Sequence, residues 1–114
     1  MNRLLDYAAI RARIPLPRVL ELIGWEPATR SGPQWRGSCP LGCSSSRDPR
    51  QDPSFSVHVD RHVFQCFHCL RAGNQLDLWA AFLGQRLYPA TLQLCHRLAI
   101  PPIFLINPQP RNRA

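Results

Sequence analysis

The sequence predicts an α+β domain: a small antiparallel sheet with helices at both ends. Three observations lead there. Ser54-Phe55-Ser56-Val57-His58-Val59-Asp60 alternates polar and apolar residues, which puts Phe55, Val57 and Val59 on one face of a strand. Asp60-Arg61-His62 then makes a tight turn that returns the chain into Val63-Phe64-Gln65-Cys66, closing a hairpin. On either side of this region, apolar residues recur at helical spacing.

The elements follow in order. Leu4, Leu5, Ala8, Ala9 and Ala12 form a weak helical stripe, so a first helix is expected over about 4–13. Ile14-Pro15-Leu16-Pro17 breaks it, because each proline removes a donor and restrains the residue before it. A second helix is expected over 17–23. Pro17 suits its first position, Gly24 its stop, and Val19, Leu20 and Ile23 share a face. Residues 27–53 turn polar and rich in Pro, Gly and Ser, with Gln34-Trp35-Arg36-Gly37 as a short strand inside them. Beyond the hairpin, Asn74 is a good N-cap for a helix over 75–83, where Leu76, Trp79, Ala80 and Leu83 recur at helical spacing before Gly84. A last helix is expected over 89–99, with Leu92, Cys95 and Leu98 or Ala99 facing inward. Trp25 and Trp79 read as packing residues. The domain is thus expected over 1–100, its ribbon core over about 34–73, and 101–114 is a Pro/Arg-rich tail. Within the tail, Ile103-Phe104-Leu105-Ile106 is either a packed extension or a docking segment.

Composition narrows the function. A chain of 114 residues and 13.0 kDa allows one small domain, and 45% apolar residues is too many for wholly disordered protein. No apolar run approaches the roughly 18–20 residues that span a bilayer. The N-terminus carries Arg3 and Asp6 without a signal-type apolar core, so a cytoplasmic, reduced protein is expected. All fourteen basic residues are Arg against seven acids, for a net charge of +7. Guanidinium groups without lysine suit phosphates, which makes nucleic acid the default partner; the bland alternative is a soluble basic surface.

The cysteines carry the chemistry. Cys39 and Cys43 are separated by three residues, Cys66 and Cys69 by two, and twenty-two residues lie between the pairs. Zinc takes four soft ligands at tetrahedral corners, and a short loop between paired cysteines lets two sulfurs converge on one ion. The competing readings are four buried thiols or a redox pair. The ribbon region has few large apolar side chains, and a piece that small rarely folds on its own core. Structural zinc contributes on the order of 10–16 kcal/mol of apparent binding free energy in small fingers. A closed four-thiolate shell leaves no open position for water, which makes the expected Zn²⁺ structural. Four thiolates and one Zn²⁺ carry −2 together, so the net charge of +7 becomes +5 and the domain stays basic. His68 lies inside the second pair and is expected to point away; Cys95, at core spacing on the last helix, is expected to be a buried thiol.

Cys39-Pro40-Leu41-Gly42-Cys43, Asp52-Pro53-Ser54-Phe55-Ser56-Val57, Phe64-Gln65-Cys66-Phe67-His68-Cys69 and Ala72-Gly73-Asn74-Gln75-Leu76-Asp77, in that order, resemble the N-terminal zinc-binding domain of bacterial DNA primases. That family shows a Cys-Pro-x-His knuckle, a Pro-Ser-Phe strand start, a Cys-Phe-x-Cys knuckle and a Gly-Asn or Gly-Asp helix start. The resemblance covers about residues 17–100. It departs in two places. Gly42 stands at the family's His offset, so the ligand role is expected to pass to Cys43. Leu70 stands where the family has Gly after the last Cys, so the second knuckle is expected to be shaped differently.

The resemblance implies a zinc ribbon that binds single-stranded template DNA for primer synthesis in DNA replication, while a separate domain polymerises. That catalytic domain clusters acids around Mg²⁺. This chain has seven acids, no Asp-x-Asp pair and no Glu-rich cluster, so a binding module is expected here and not a self-sufficient enzyme. The alternative is a recruitment module for a primase catalytic subunit, helicase or mobile-element enzyme. A small nuclease or thiol oxidoreductase is a third reading, which the closed shell disfavours. A single-strand site combines guanidinium groups with aromatic faces. The ribbon offers Arg30, Trp35, Arg36, Arg47, Arg50, His58, Arg61, His62, Phe64 and Arg71. Arg36, His58, Arg61 and Arg71 rank first as phosphate or base contacts, against the alternative of solvated side chains; Trp35 and Phe64 are stacking candidates, though such residues are more often part of a small core.

Overall fold

The hairpin foreseen at 54–66 is the centre of a larger sheet. The computed structural model describes residues 4–43 and 53–105. Within them β1 (Thr29–Ser31), β2 (Gln34–Gly37), β3 (Phe55–His58), β4 (Val63–Cys66) and β5 (Ala72–Asn74) form one antiparallel sheet in chain order. Helices α1 (Tyr7–Arg11) and α2 (Leu16–Ile23) precede it; α3 (Gln75–Leu83) and α4 (Leu87–Arg97) follow.

Register gives the sheet two different faces. Directly opposed residues in an antiparallel pair point to the same side. Phe55 opposes Cys66, and Val57 opposes both Phe64 and Trp35. This set makes the inner face: Phe55, Val57, Phe64 and Cys66 are buried, and Trp35 is half-buried. Phe64 stacks on Phe55 at 5.6 Å, and Trp25 meets Phe55 edge-on at 5.4 Å. The other face carries Gln34, Arg36, Ser56, His58, Val63 and Gln65, with no helix packed over it among the described residues.

The helices close the inner side. Leu16, Val19 and Leu20 of α2, Leu76, Leu78 and Trp79 of α3, and Leu94 and Cys95 of α4 are buried in one cluster with the sheet residues. Trp79 keeps its N–H satisfied by donating from Nε1 to Gln93 Oε1 at 3.0 Å, which ties α3 to α4. Two side chains tie the N-terminal helices to the sheet half. Gln75 Nε2 donates to the carbonyls of Arg11 and Ile14 at 3.1 and 2.8 Å, and His62 Nδ1 accepts from the Leu16 amide at 3.0 Å.

The start of α3 is built as the sequence foresaw, in more detail. Asn74 Oδ1 accepts from the amides of Leu76 and Asp77, while Asp77 Oδ2 accepts from the Asn74 amide at 2.9 Å. This reciprocal box satisfies orphan donors of the first turn. Gly73 is needed beside it, because a Cβ there would stand 2.5 to 2.8 Å from Asp77 side-chain atoms.

Several expectations need correction. The first helix runs only over Tyr7–Arg11, capped by Asp6, and its buried residue is Ile10 and not the alanine stripe. The residues before it do other work: Leu5 bridges Phe104, the Asp6 amide donates to Ile103, and the Leu105 amide to Leu4. Ile103 and Phe104 are therefore packed against the domain. The second helix starts one residue earlier, at Leu16. The last begins at Leu87 and buries Ala90, Thr91, Leu94 and Cys95, with Leu92 only half-buried. Strands β1 and β5, three residues each, carry no alternation and were not foreseen.

Candidate metal centre and open sheet face

Both cysteine pairs lie at strand ends. Cys39 and Cys43 follow β2, and Cys66 is the last residue of β4, two strands away. Sheet pairing therefore delivers the two knuckles to one end of the sheet. The four Sγ atoms lie within 4.8 Å of one another, and Cys43 Sγ is 3.4 Å from Cys66 Sγ. Four sulfurs at about 2.3 Å from a tetrahedral ion sit roughly 3.8 Å apart, so the cluster fits one zinc. Cys39 and Cys66 are buried and the other two half-buried. Among the described residues no other group of His, Cys, Asp and Glu converges in this way. His68 is exposed and outside the cluster, and Cys95 is buried on α4.

The backbone is shaped for thiolates. The Leu41 amide donates to Cys39 Sγ, and the amides of His68 and Cys69 donate to Cys66 Sγ, all at 3.4 Å. Burial alone pushes the Cys66 thiol up, but the amides of Cys69 and His68 and the sulfurs of Cys43 and Cys69 outweigh it and bring the group down to about 6. Burial and the neighbouring sulfurs push Cys43 up. Holding a metal requires all four deprotonated, so acid releases it.

The two departures from the family pattern have separate solutions. Gly42, at the family's His offset, adopts φ 83, the left-handed turn that brings Cys43 round to the other sulfurs across a longer loop. Leu70 adopts φ 67 although it has a Cβ, and its side chain is 78% exposed. The knuckle therefore keeps the backbone path that glycine allows, at a local cost. Leu70→Gly is expected to raise stability by about 0.5–1 kcal/mol, read as a higher denaturation midpoint with unchanged zinc content. A lowered midpoint would contradict the strain.

The nucleic-acid candidates separate by face. Arg36 and His58 lie on the open face and Arg61 at its turn. Arg36 donates from Nε and Nη2 to the Pro53 carbonyl at 3.1 and 3.0 Å and stands 5.2 Å from the Phe67 ring centre. His58 Nδ1 accepts from the Arg61 amide at 3.2 Å, which shapes the β3–β4 turn. Arg61 and Arg71 are exposed. The two stacking candidates lie on the inner face. Phe64 is 3% exposed with its face on Phe55, and Trp35 lies on the inner face beneath Arg30, whose guanidinium is 4.2 Å from the ring. Arg47 and Arg50 lie outside the described residues.

The open face carries further residues that no spacing pattern marks. Gln34 Nε2 donates to Ser56 Oγ, and these two line, with His58, Arg61 and Gln65, an open hollow of about 380 Å³. Phe67, 52% exposed beside Arg36, is the aromatic ring this end presents to solvent. Gln34 and Gln65 oppose His58 and Ser56 in the two strand pairs, so cross-strand register was the signal that finds them.

The CHC2 zinc finger family matches residues 8–103. The comparison with curated proteins gives no match. Among solved structures, the chain is similar to the Aquifex aeolicus primase described by its zinc-binding and RNA polymerase domains. The TM-score is 0.65 at 21% identity, over 93% of this chain and 23% of that one. The likeness is one of fold, and the chain spans about a quarter of that protein's length. The family match covers most of the chain and includes both knuckles that the sheet brings together, one of them with Cys43 in place of histidine, and the chain belongs to the CHC2 zinc finger family.

Proposed function

We propose that the chain is a primase-type DNA-binding module that holds single-stranded template DNA on the open face of its sheet for primer synthesis during replication, in the cytoplasm. The observation that supports this best is the asymmetry of the sheet. One face is closed by helices; the other offers Gln34, His58 and Gln65 around the buried Ser56, flanked by Arg36 and Arg61. Amides and an imidazole suit base edges that a single strand leaves unpaired, while guanidinium groups suit its phosphates. Phe67, held beside Arg36, is the candidate for stacking in place of Phe64 and Trp35. Arg71, exposed between the second knuckle and β5, extends the positive rim. Zinc is structural in this reading: it fixes β2 and β4 relative to each other and so sets the face.

The test is binding of the zinc-loaded protein to single-stranded DNA at two salt concentrations, with zinc measured on the same sample. Micromolar affinity that falls as salt rises is expected, because each neutralised phosphate releases counterions. One zinc per chain without DNA binding at low salt would overturn the reading and move the function to recruitment of a primase subunit or helicase. The exposed Phe67 and Leu70 at the second knuckle would then be the place to look, since Ile103 and Phe104 already pack on the domain.

A further inference from the structure

A second hollow, beyond the β3–β4 turn, is used by nothing above. It measures about 380 Å³, and its lining includes Arg11, Arg61, His62 and Gln75 but no acid. Among the described residues neither Arg11 nor Arg61 has an ion-pair partner; the one ion pair is Arg18–Glu21 at 3.1 Å. The carboxylates that begin α1 and α3 serve backbone amides. Asp6 Oδ1 accepts from the Ala9 amide and Asp77 Oδ2 from the Asn74 amide. Asp60, next to Arg61 in the chain, is exposed and does not line the hollow.

The walls are tied together. The contact of His62 Nδ1 with the Leu16 amide joins the turn to the start of α2, and Gln75 Nε2 joins the start of α3 to the carbonyls of Arg11 and Ile14. His62 has φ 56, a conformation that residues with a Cβ seldom adopt, so the turn is held by its surroundings. Arg61 lines this hollow and also the one on the open face. It stands at a lip shared by the two.

We propose that Arg11 and Arg61 together hold one backbone phosphate of the bound strand in this hollow, so that the strand leaves the open face over the β3–β4 turn and passes onto α1. The inference rests on the open-face reading and adds Arg11 to it. Two arginines line one acid-free hollow, and their side chains carry the forked donors that suit a phosphate; Arg11 is half-buried, which lowers the entropy lost when it is fixed.

The test is a salt series with a short oligothymidylate on zinc-loaded wild type, Arg11→Gln, Arg11→Lys and Arg18→Gln. Arg11→Gln is expected to weaken binding roughly three- to tenfold at low salt and to lower the slope of log affinity against log salt by about 0.7, the share of one phosphate on a single strand. Arg11→Lys is expected to recover the slope and only part of the affinity, as a point charge replaces a fork. Arg18→Gln is expected to match wild type. If wild type binds and Arg11→Gln matches it in affinity and slope, the phosphate site is wrong and the open-face reading stands. If wild type does not bind, both fall. Should Arg11→Gln lose zinc or its melting transition, the amide resonances of His62 and Gln75 in the wild type decide: they are expected to shift on adding the oligonucleotide, and unmoved resonances overturn the site.

Discussion

Cys66→Ser is expected to abolish stoichiometric zinc binding and the cooperative melting transition together. Cys66 is buried, closes β4 against Phe55 and accepts two amide donors at its sulfur, so it belongs to the sheet and the centre at once. The binding free energy at stake in small zinc domains is on the order of 10–16 kcal/mol, against a total folding stability of about 5–15 kcal/mol. Stripping the wild type with a chelator is expected to do the same, reversibly. Cys95→Ser serves as the control, since Cys95 is a buried thiol on α4 outside the cluster, and it is expected to keep one zinc per chain. Metal content and thermal melting on the two variants check this; full zinc and an intact transition in Cys66→Ser would contradict the ligand assignment.

Trp79→Ala is expected to cost about 3–5 kcal/mol, the range for deleting a buried large aromatic side chain. Trp79 is 1% exposed, lies against Phe82 with ring centres 5.9 Å apart, and spans from α3 to Gln93 on α4. Trp79→Phe keeps most of the volume and gives up the Nε1 bond; Gln93 is exposed and turns to water, so a much smaller loss is expected. Denaturant midpoints of the zinc-loaded proteins read both. A loss below about 1 kcal/mol for Trp79→Ala would contradict its place in the core. The comparison also separates the two supports of the fold, because Trp79→Ala is expected to retain zinc at low temperature.

The parts of the fold legible in sequence were those with a strong local period or a specific cap. Phe55 and Val57 alternate with polar residues, and Asn74 is followed at the right offset by Asp77, so β3, β4 and α3 emerge close to their observed bounds. β1 and β5 are only three residues each, and sheet pairing, not local preference, makes them strands. The first helix was overdrawn because Leu4 and Leu5 look helical locally, while their neighbourhood is decided by Ile103–Leu105 at the other end of the chain. Sequence separation hides such contacts.

For the site, the metal centre was legible and the proposed binding face only partly so. Paired cysteines announce themselves by spacing, and their convergence follows once β2 and β4 flank β3. The faces of Trp35 and Phe64 depend on register, since both oppose Val57, which the alternation already sends inward; the turn at Asp60–His62 sets it for the buried Phe64, whereas no short turn announces the β2–β3 pairing that places the half-buried Trp35. Gln34 and Gln65 were passed over because no residue-type argument marks a lone glutamine, and Arg11 because it is far from the ribbon in sequence.

The open face is the surface proposed to meet a single strand. The most direct test is to follow backbone amide resonances of the zinc-loaded protein while adding a short oligothymidylate. The expected result is a contiguous set of shifts at Gln34, Arg36, Ser56, His58 and Gln65, with α4 unmoved. Shifts confined to the helical side, or none at a concentration where binding is detected by other means, would contradict it.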